Sequence, residues 1–89
     1  MIYLITCVDG PDGARLRQEH LAEHLSYIET VSDRLRLAGP IVDLGGIYRG
    51  SILIYEADSE PQAQALVMND PYGKARVWSS ISILPFKPV

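Results

Sequence analysis

The hydrophobic and polar positions fall into six periodic stretches divided by turn residues. Ile2 to Val8, rich in Ile, Leu, Thr and Val, predicts a first strand covered on both faces. The cluster Asp9-Gly10-Pro11-Asp12-Gly13 stops it. From Ala14 to Ser32 the period becomes helical, with Asp33 and Arg34 closing the segment. Leu35 to Val42 predicts a second strand, and Pro40 within it belongs on a sheet edge or at a bulge because proline cannot donate to a ladder. Asp43-Leu44-Gly45-Gly46 turns the chain into a third strand from Tyr48 to Ala57, with Ser51, Leu53 and Tyr55 on one face and Ile52, Ile54 and Glu56 on the other. Ser59 begins a short helix that runs to Met68, with Gln62 completing a capping box and Pro61 allowed in the first turn. Asn69-Asp70-Pro71-Tyr72 breaks that helix, and Val77 to Phe86 predicts the last strand. The order is β-α-β-β-α-β: an α+β, ferredoxin-like arrangement with an antiparallel sheet and both helices on one face. The other sheet face carries aliphatic side chains with nothing in this chain to cover them, and a second copy is the expected cover.

The first helix departs from simple amphipathicity. At 100° per residue Leu21, Leu25 and Ile28 lie within about 60° of one another, and Val31 extends the arc. Arg17 and His24 fall inside that arc, roughly 10 Å apart along the axis, with His20 at its rim. A histidine there is compatible with a satisfied core residue, and an arginine can lay its methylenes on the core while its head reaches water. Asp70 likewise suits a plain turn cap before Pro71. In this topology, however, the loop before the last strand lies at the sheet end that the first helix reaches. A carboxylate there would hold the His24 imidazole in one tautomer and strengthen it as a general base. Arg17 would supply a fixed cation for a carboxylate or enolate oxygen, and Ser51 a hydroxyl.

Composition narrows the possibilities. At 89 residues the expectation is one domain, residues 1–89, and 47% hydrophobic with 21% charged residues is the balance of a globular protein. A net charge of −3 and scattered basic residues argue against a nucleic-acid backbone as partner. No apolar run is long enough for a membrane span, and Met1-Ile2-Tyr3-Leu4 lacks the basic start of a signal peptide. A single cysteine, Cys7, permits no internal disulfide and fits a cytoplasmic protein; with no cationic neighbour in sequence it reads as a small buried hydrophobe, not a nucleophile. His20 and His24, four apart, make half a metal site without a third ligand, so no metal and no organic cofactor are expected.

His24-Leu25, Leu37-Ala38-Gly39-Pro40, Gly50-Ser51, Asp70-Pro71-Tyr72 and Pro85-Phe86 occur in the order and approximate spacing of the YciI-like (YCII-related domain) family, which nearly the whole chain resembles. The resemblance implies a dimeric α+β barrel, in which two ferredoxin-like sheets pack face to face. It also implies a His–Asp pair in an active-site cleft, at positions matching His24 and Asp70, with Arg17 and Ser51 at polar pocket positions. Two departures stand out. The arginine often found three residues before the family histidine is Leu21 here, and the glycine often found six residues after the aspartate is Arg76. The expected function is therefore a small enzyme in which His24 and Asp70 perform acid/base chemistry, of isomerase, lyase or dehydrohalogenase type, on a small, anionic or cyclic organic molecule. The alternative is a ligand-binding or interaction module that uses the same cleft without turnover.

Overall fold

A computed structural model describes residues 1–89. Strand β1 spans Ile2–Asp9, helix α1 Gly13–Thr30, β2 Leu35–Val42, β3 Tyr48–Glu56, α2 Glu60–Met68, α3 Pro71–Lys74 and β4 Trp78–Phe86. The strands form one sheet in the order β2-β3-β1-β4, with every neighbouring pair antiparallel. The sequence predicts each of these elements except α3. Pro40 does lie on an edge strand, in β2, where its missing N–H leaves no gap in the sheet interior. Ser59 caps α2 by accepting from the Gln62 amide, while the Gln62 side chain reaches back to the Asp58 amide. No helix is long and apolar enough to cross a membrane.

Alternation sorts the two sheet faces. Tyr3, Ile5 and Cys7 of β1 and Leu53 and Tyr55 of β3 are buried beneath the helices, joined by Ala63 and Val67 of α2. The opposite face has no helix, and Val8, Leu37, Ile41, Leu84 and Phe86 remain exposed on it. Along β4 the simple alternation fails. Trp78 is buried, yet it is Ile81 and Ile83, of the other parity, that pack against the same core. A register shift opposite Val8 and Asp9 is the cause: one extra residue in the strand switches which parity faces inward.

Helix α1 does not bury the arc that its periodicity predicts. Leu21 is 48% and Leu25 55% exposed, while the buried positions of the helix are Gly13 and Arg17. The short helix α3 explains it. Its Tyr72 packs beneath α1, so the arc faces a cleft between α1 and the β2–β3 edge instead of a closed core. At the other end of the helix, Gly13 touches the Asp9 side chain so closely that a Cβ there would collide with its carboxylate.

Candidate active site

The cleft has a volume of about 310 Å3 and lies between α1 and the β2–β3 edge. Arg17, His24, Ser51 and Tyr72 supply its polar groups, and Leu21, Leu25, Ile28 and Leu53 contribute to its apolar walls. A second cavity of about 530 Å3 adjoins it, sharing Arg17, Leu21, Tyr48 and Tyr72. Two of the four residues expected from the sequence come from α1 and the others from β3 and the α2–α3 junction, so the fold brings all four to one place.

His24 and Asp70 are directly paired, Nδ1 to Oδ1 at 2.7 Å. Asp70 is fully buried and the His24 side chain is 15% exposed. A carboxylate only accepts, so Nδ1 carries the hydrogen and the lone pair of the neutral ring resides on Nε2. Nε2 makes no hydrogen bond within the chain, and His24 lines the cleft. Tyr72 fixes the plane of the imidazole: the rings stack at 3.9 Å with 2° between them. The tyrosine is itself anchored, because its hydroxyl donates to the Arg17 carbonyl at 3.1 Å and its ring meets Trp78 edge-on. Asp70 does two jobs at once. The oxygen that holds His24 also caps α3 by accepting from the Tyr72 amide at 2.9 Å. The turn-cap and histidine-partner readings of Asp70 thus converge on one oxygen.

Arg17, expected from the sequence as a fixed cation for a ligand oxygen, is held in place by a carboxylate of this chain. Its Nε donates to Asp9 Oδ2 at 2.8 Å and its Nη2 to Asp9 Oδ1 at 2.9 Å, a bidentate pair with both side chains about nine-tenths buried. The two hydrogens of Nη2 are shared among Asp9 Oδ1, the Gly50 carbonyl at 2.8 Å and Ser51 Oγ at 2.9 Å. Gly50 is required there, since a Cβ would run into the Cys7 backbone of β1. Nη1 keeps both of its hydrogens unengaged within the chain. The guanidinium is flanked by the rings of Tyr48 at 5.3 Å and Tyr72 at 5.5 Å. Ser51 Oγ accepts from both Arg17 and Trp78, which leaves its own hydrogen to donate.

Asp9 is the residue that sequence reasoning missed, having assigned it to a turn. The signal was present: continuing the alternation of Tyr3, Ile5 and Cys7 by one step places Asp9 on the helix-covered face. Cys7 is buried and its thiol is pushed up to about 12, chiefly by burial and then by the Asp70 and Asp9 carboxylates, so it stays protonated and unreactive. His20 faces Glu23 on the outer surface, and no three metal-ligating side chains converge anywhere in the chain.

This fold, with a polar cleft between its first helix and its sheet edge, defines a ferredoxin-like α+β protein with a small-molecule-sized site. The chain belongs to the YCII-related domain family, whose model matches residues 1–87. It is 35% identical to Protein YciI of Escherichia coli O6:H1, in an alignment covering all of this chain and 99% of that one, and the same figures hold for Protein YciI of Shigella flexneri. Among solved structures it is similar to the 5-chloro-2-hydroxyhydroquinone dehydrochlorinase TftG of Burkholderia phenoliruptrix AC1100, in complex with 2,5-dihydroxybenzoquinone. That match has a TM-score of 0.88 and 30% identity over 98% of this chain and 94% of the other. A NIPSNAP domain protein of Burkholderia xenovorans, at TM-score 0.52 and 14% identity over 99% and 93% of the two chains, shares the fold alone.

Proposed function

We propose that the cleft is the active site of an enzyme that moves a proton on a small organic molecule, with His24 as the acid/base and Asp70 as its partner. The observation that carries this reading is the 2.7 Å pair that commits Nδ1 to a buried carboxylate and leaves Nε2 unengaged at the cleft. Nε2 takes the proton, and Asp70 stabilises the imidazolium that results. Arg17 Nη1 and the Ser51 hydroxyl supply hydrogen bonds to the oxygen on which charge develops. Dehydrochlorination, the reaction in the name of the similar TftG protein, needs such a base together with a pocket into which chloride departs. The test is chloride release from 5-chloro-2-hydroxyhydroquinone, with hydrogen–deuterium exchange on the same compound followed by NMR. Turnover by the wild type that falls by about 10²- to 10⁴-fold in His24→Asn, with the unfolding curve little changed, supports the reading. Binding without turnover or exchange would instead identify a ligand-binding module, and equal turnover by both proteins would remove His24 from the chemistry.

The helix-free sheet face supports a second copy of the chain as partner. Leu37 and Leu84, 63% and 56% exposed, flank the half-buried Ile52, Ile54, Ile2 and Leu4 on one continuous surface. Covering it against its own copy recovers roughly 25 cal/mol per Å2 of apolar area. Sedimentation as a folded monomer at every concentration would rule this out.

A further inference from the structure

The cleft holds one fixed cation, Arg17, against two buried carboxylates, Asp9 and Asp70. Asp9 answers Arg17 with both of its oxygens, at 2.8 and 2.9 Å. The other cation lining the adjoining cavity, Arg15, is bound to Glu19 at 2.9 Å. No unneutralised positive charge therefore faces either cavity while His24 is neutral. An arginine in this state still offers the two hydrogens of Nη1, but it offers them as a donor and not as a counterion. Around it the walls are apolar, with Leu21, Leu25, Ile28 and Leu53 lining the cleft. A carboxylate entering this space would give up its water for a site already carrying excess negative charge.

We propose that Asp9 sets the charge preference of the cleft: by cancelling Arg17 it selects uncharged, hydroxyl-bearing ligands and turns away carboxylates. This rests on the acid/base reading of His24 and deepens it. The ligand arrives with its proton. The O–H bond breaks, the proton passes to Nε2, and the electron pair stays on the ligand oxygen. At that moment the protein side of the site holds Arg17 and the imidazolium against Asp9 and Asp70, two charges of each sign. The cleft thus accepts an oxyanion after taking the proton whose loss creates it. Asp9 touches no ligand in this scheme; it is a positioning residue that acts through Arg17.

Two single-ring probes of similar size separate the possibilities: resorcinol, uncharged at neutral pH, and benzoate, an anion. Their affinities are measured by NMR titration of the full chain, following the amides of Gly50, Ser51 and His24. The wild type is expected to bind resorcinol about tenfold more tightly than benzoate, and Asp9→Asn to raise benzoate affinity on the order of tenfold while changing resorcinol less than about threefold. A residue that merely held the fold would weaken both probes together and would not reverse their order. Should Asp9→Asn fail to fold, the wild-type ratio decides alone. Benzoate binding as tightly as resorcinol to the wild type overturns the charge rule, and leaves the acid/base reading standing if His24→Asn still abolishes turnover. Failure of both probes to shift the cleft amides overturns the charge rule and the assignment of this cleft as a ligand site together.

Discussion

Arg17 makes four hydrogen bonds and His24 makes one, although both project from the same helix face toward a buried aspartate. Asp9 grips Arg17 with both oxygens, and Arg17 reaches on to Gly50 and Ser51, so that pair joins α1 to the ends of β1 and β3. Asp70 holds a single nitrogen of His24 and leaves the other without a partner. The first pair resembles a structural rivet with two spare donors. The second is held at one end only, the arrangement on which the proposed acid/base role of His24 rests. Counting charged groups in a cleft therefore says little about function until the groups each one already satisfies are known.

Breaking the rivet is expected to have the largest effect on stability. Arg17→Met strands Asp9 in a buried position and should cost about 3–5 kcal/mol of unfolding free energy, with Arg17→Met/Asp9→Asn recovering part of it. Urea denaturation of the three proteins measures this. In the same experiment His24→Asn should move the midpoint far less, because Asp70 retains the Tyr72 amide. The reverse order of stabilities would make the histidine pair the rivet and the arginine pair the freer of the two.

Alkaline pH acts on groups beneath both pairs. Burial pushes the Cys7 thiol up to about 12 and raises the hydroxyls of Tyr55, Tyr72 and Tyr27 above the usual tyrosine range. Each folded value lies above its unfolded one, so the neutral form favours the folded state. The stability these groups contribute is complete below the unfolded thiol value of about 8.5 and declines as pH climbs toward the folded values. Denaturation midpoints should therefore fall steadily between about pH 8 and pH 11, as the thiol and then the phenols ionise in the unfolded chain. Cys7 should resist alkylation until the chain unfolds. Rapid labelling of the native thiol would contradict the burial on which this rests.

A smaller effect isolates the bond between the two pairs. Tyr72→Phe keeps the stack on His24 but deletes the hydroxyl that donates to the Arg17 carbonyl, and should cost about 1 kcal/mol with the His24 ring still in place. A displaced His24 resonance would show that the bond, and not the stack, holds the ring. Smallest of all is a change outside both pairs. Arg76 has φ of 61°, a left-handed conformation that favours glycine, shortly before β4 begins. Arg76→Gly should stabilise the chain by about 0.5–1 kcal/mol in urea without altering ligand affinity.

Much of this was legible along the chain. Turn clusters and changes of period delimit six of the seven elements, because local backbone preference and one-sided burial leave their marks within a few residues. The seventh, α3, spans four residues beginning at a proline, too short for a period to register. His24, Asp70, Arg17 and Ser51 could be named as polar residues out of place on apolar faces or in a suggestive loop. The partner of His24 could be named as well, from topology and the family resemblance, although Asp70 lies 46 residues away. The partner of Arg17 could not, since Asp9, only 8 residues away, reads as part of a turn cluster.

By itself, then, the sequence determined the order of strands and helices, the confinement of Pro40 to a sheet edge or a bulge and the presence of charge on the inner face of α1, all of which follow from residue type and spacing along one dimension. The tertiary structure alone decided that Leu21 and Leu25 wall a cleft, that Asp9 neutralises Arg17, and that one oxygen of Asp70 serves both His24 and the Tyr72 amide. The physical reason is that periodicity reports which side of an element is turned inward. The charge and reactivity of a buried group depend instead on the distance and geometry of its nearest partners, and those arrive from other elements only when the sheet assembles.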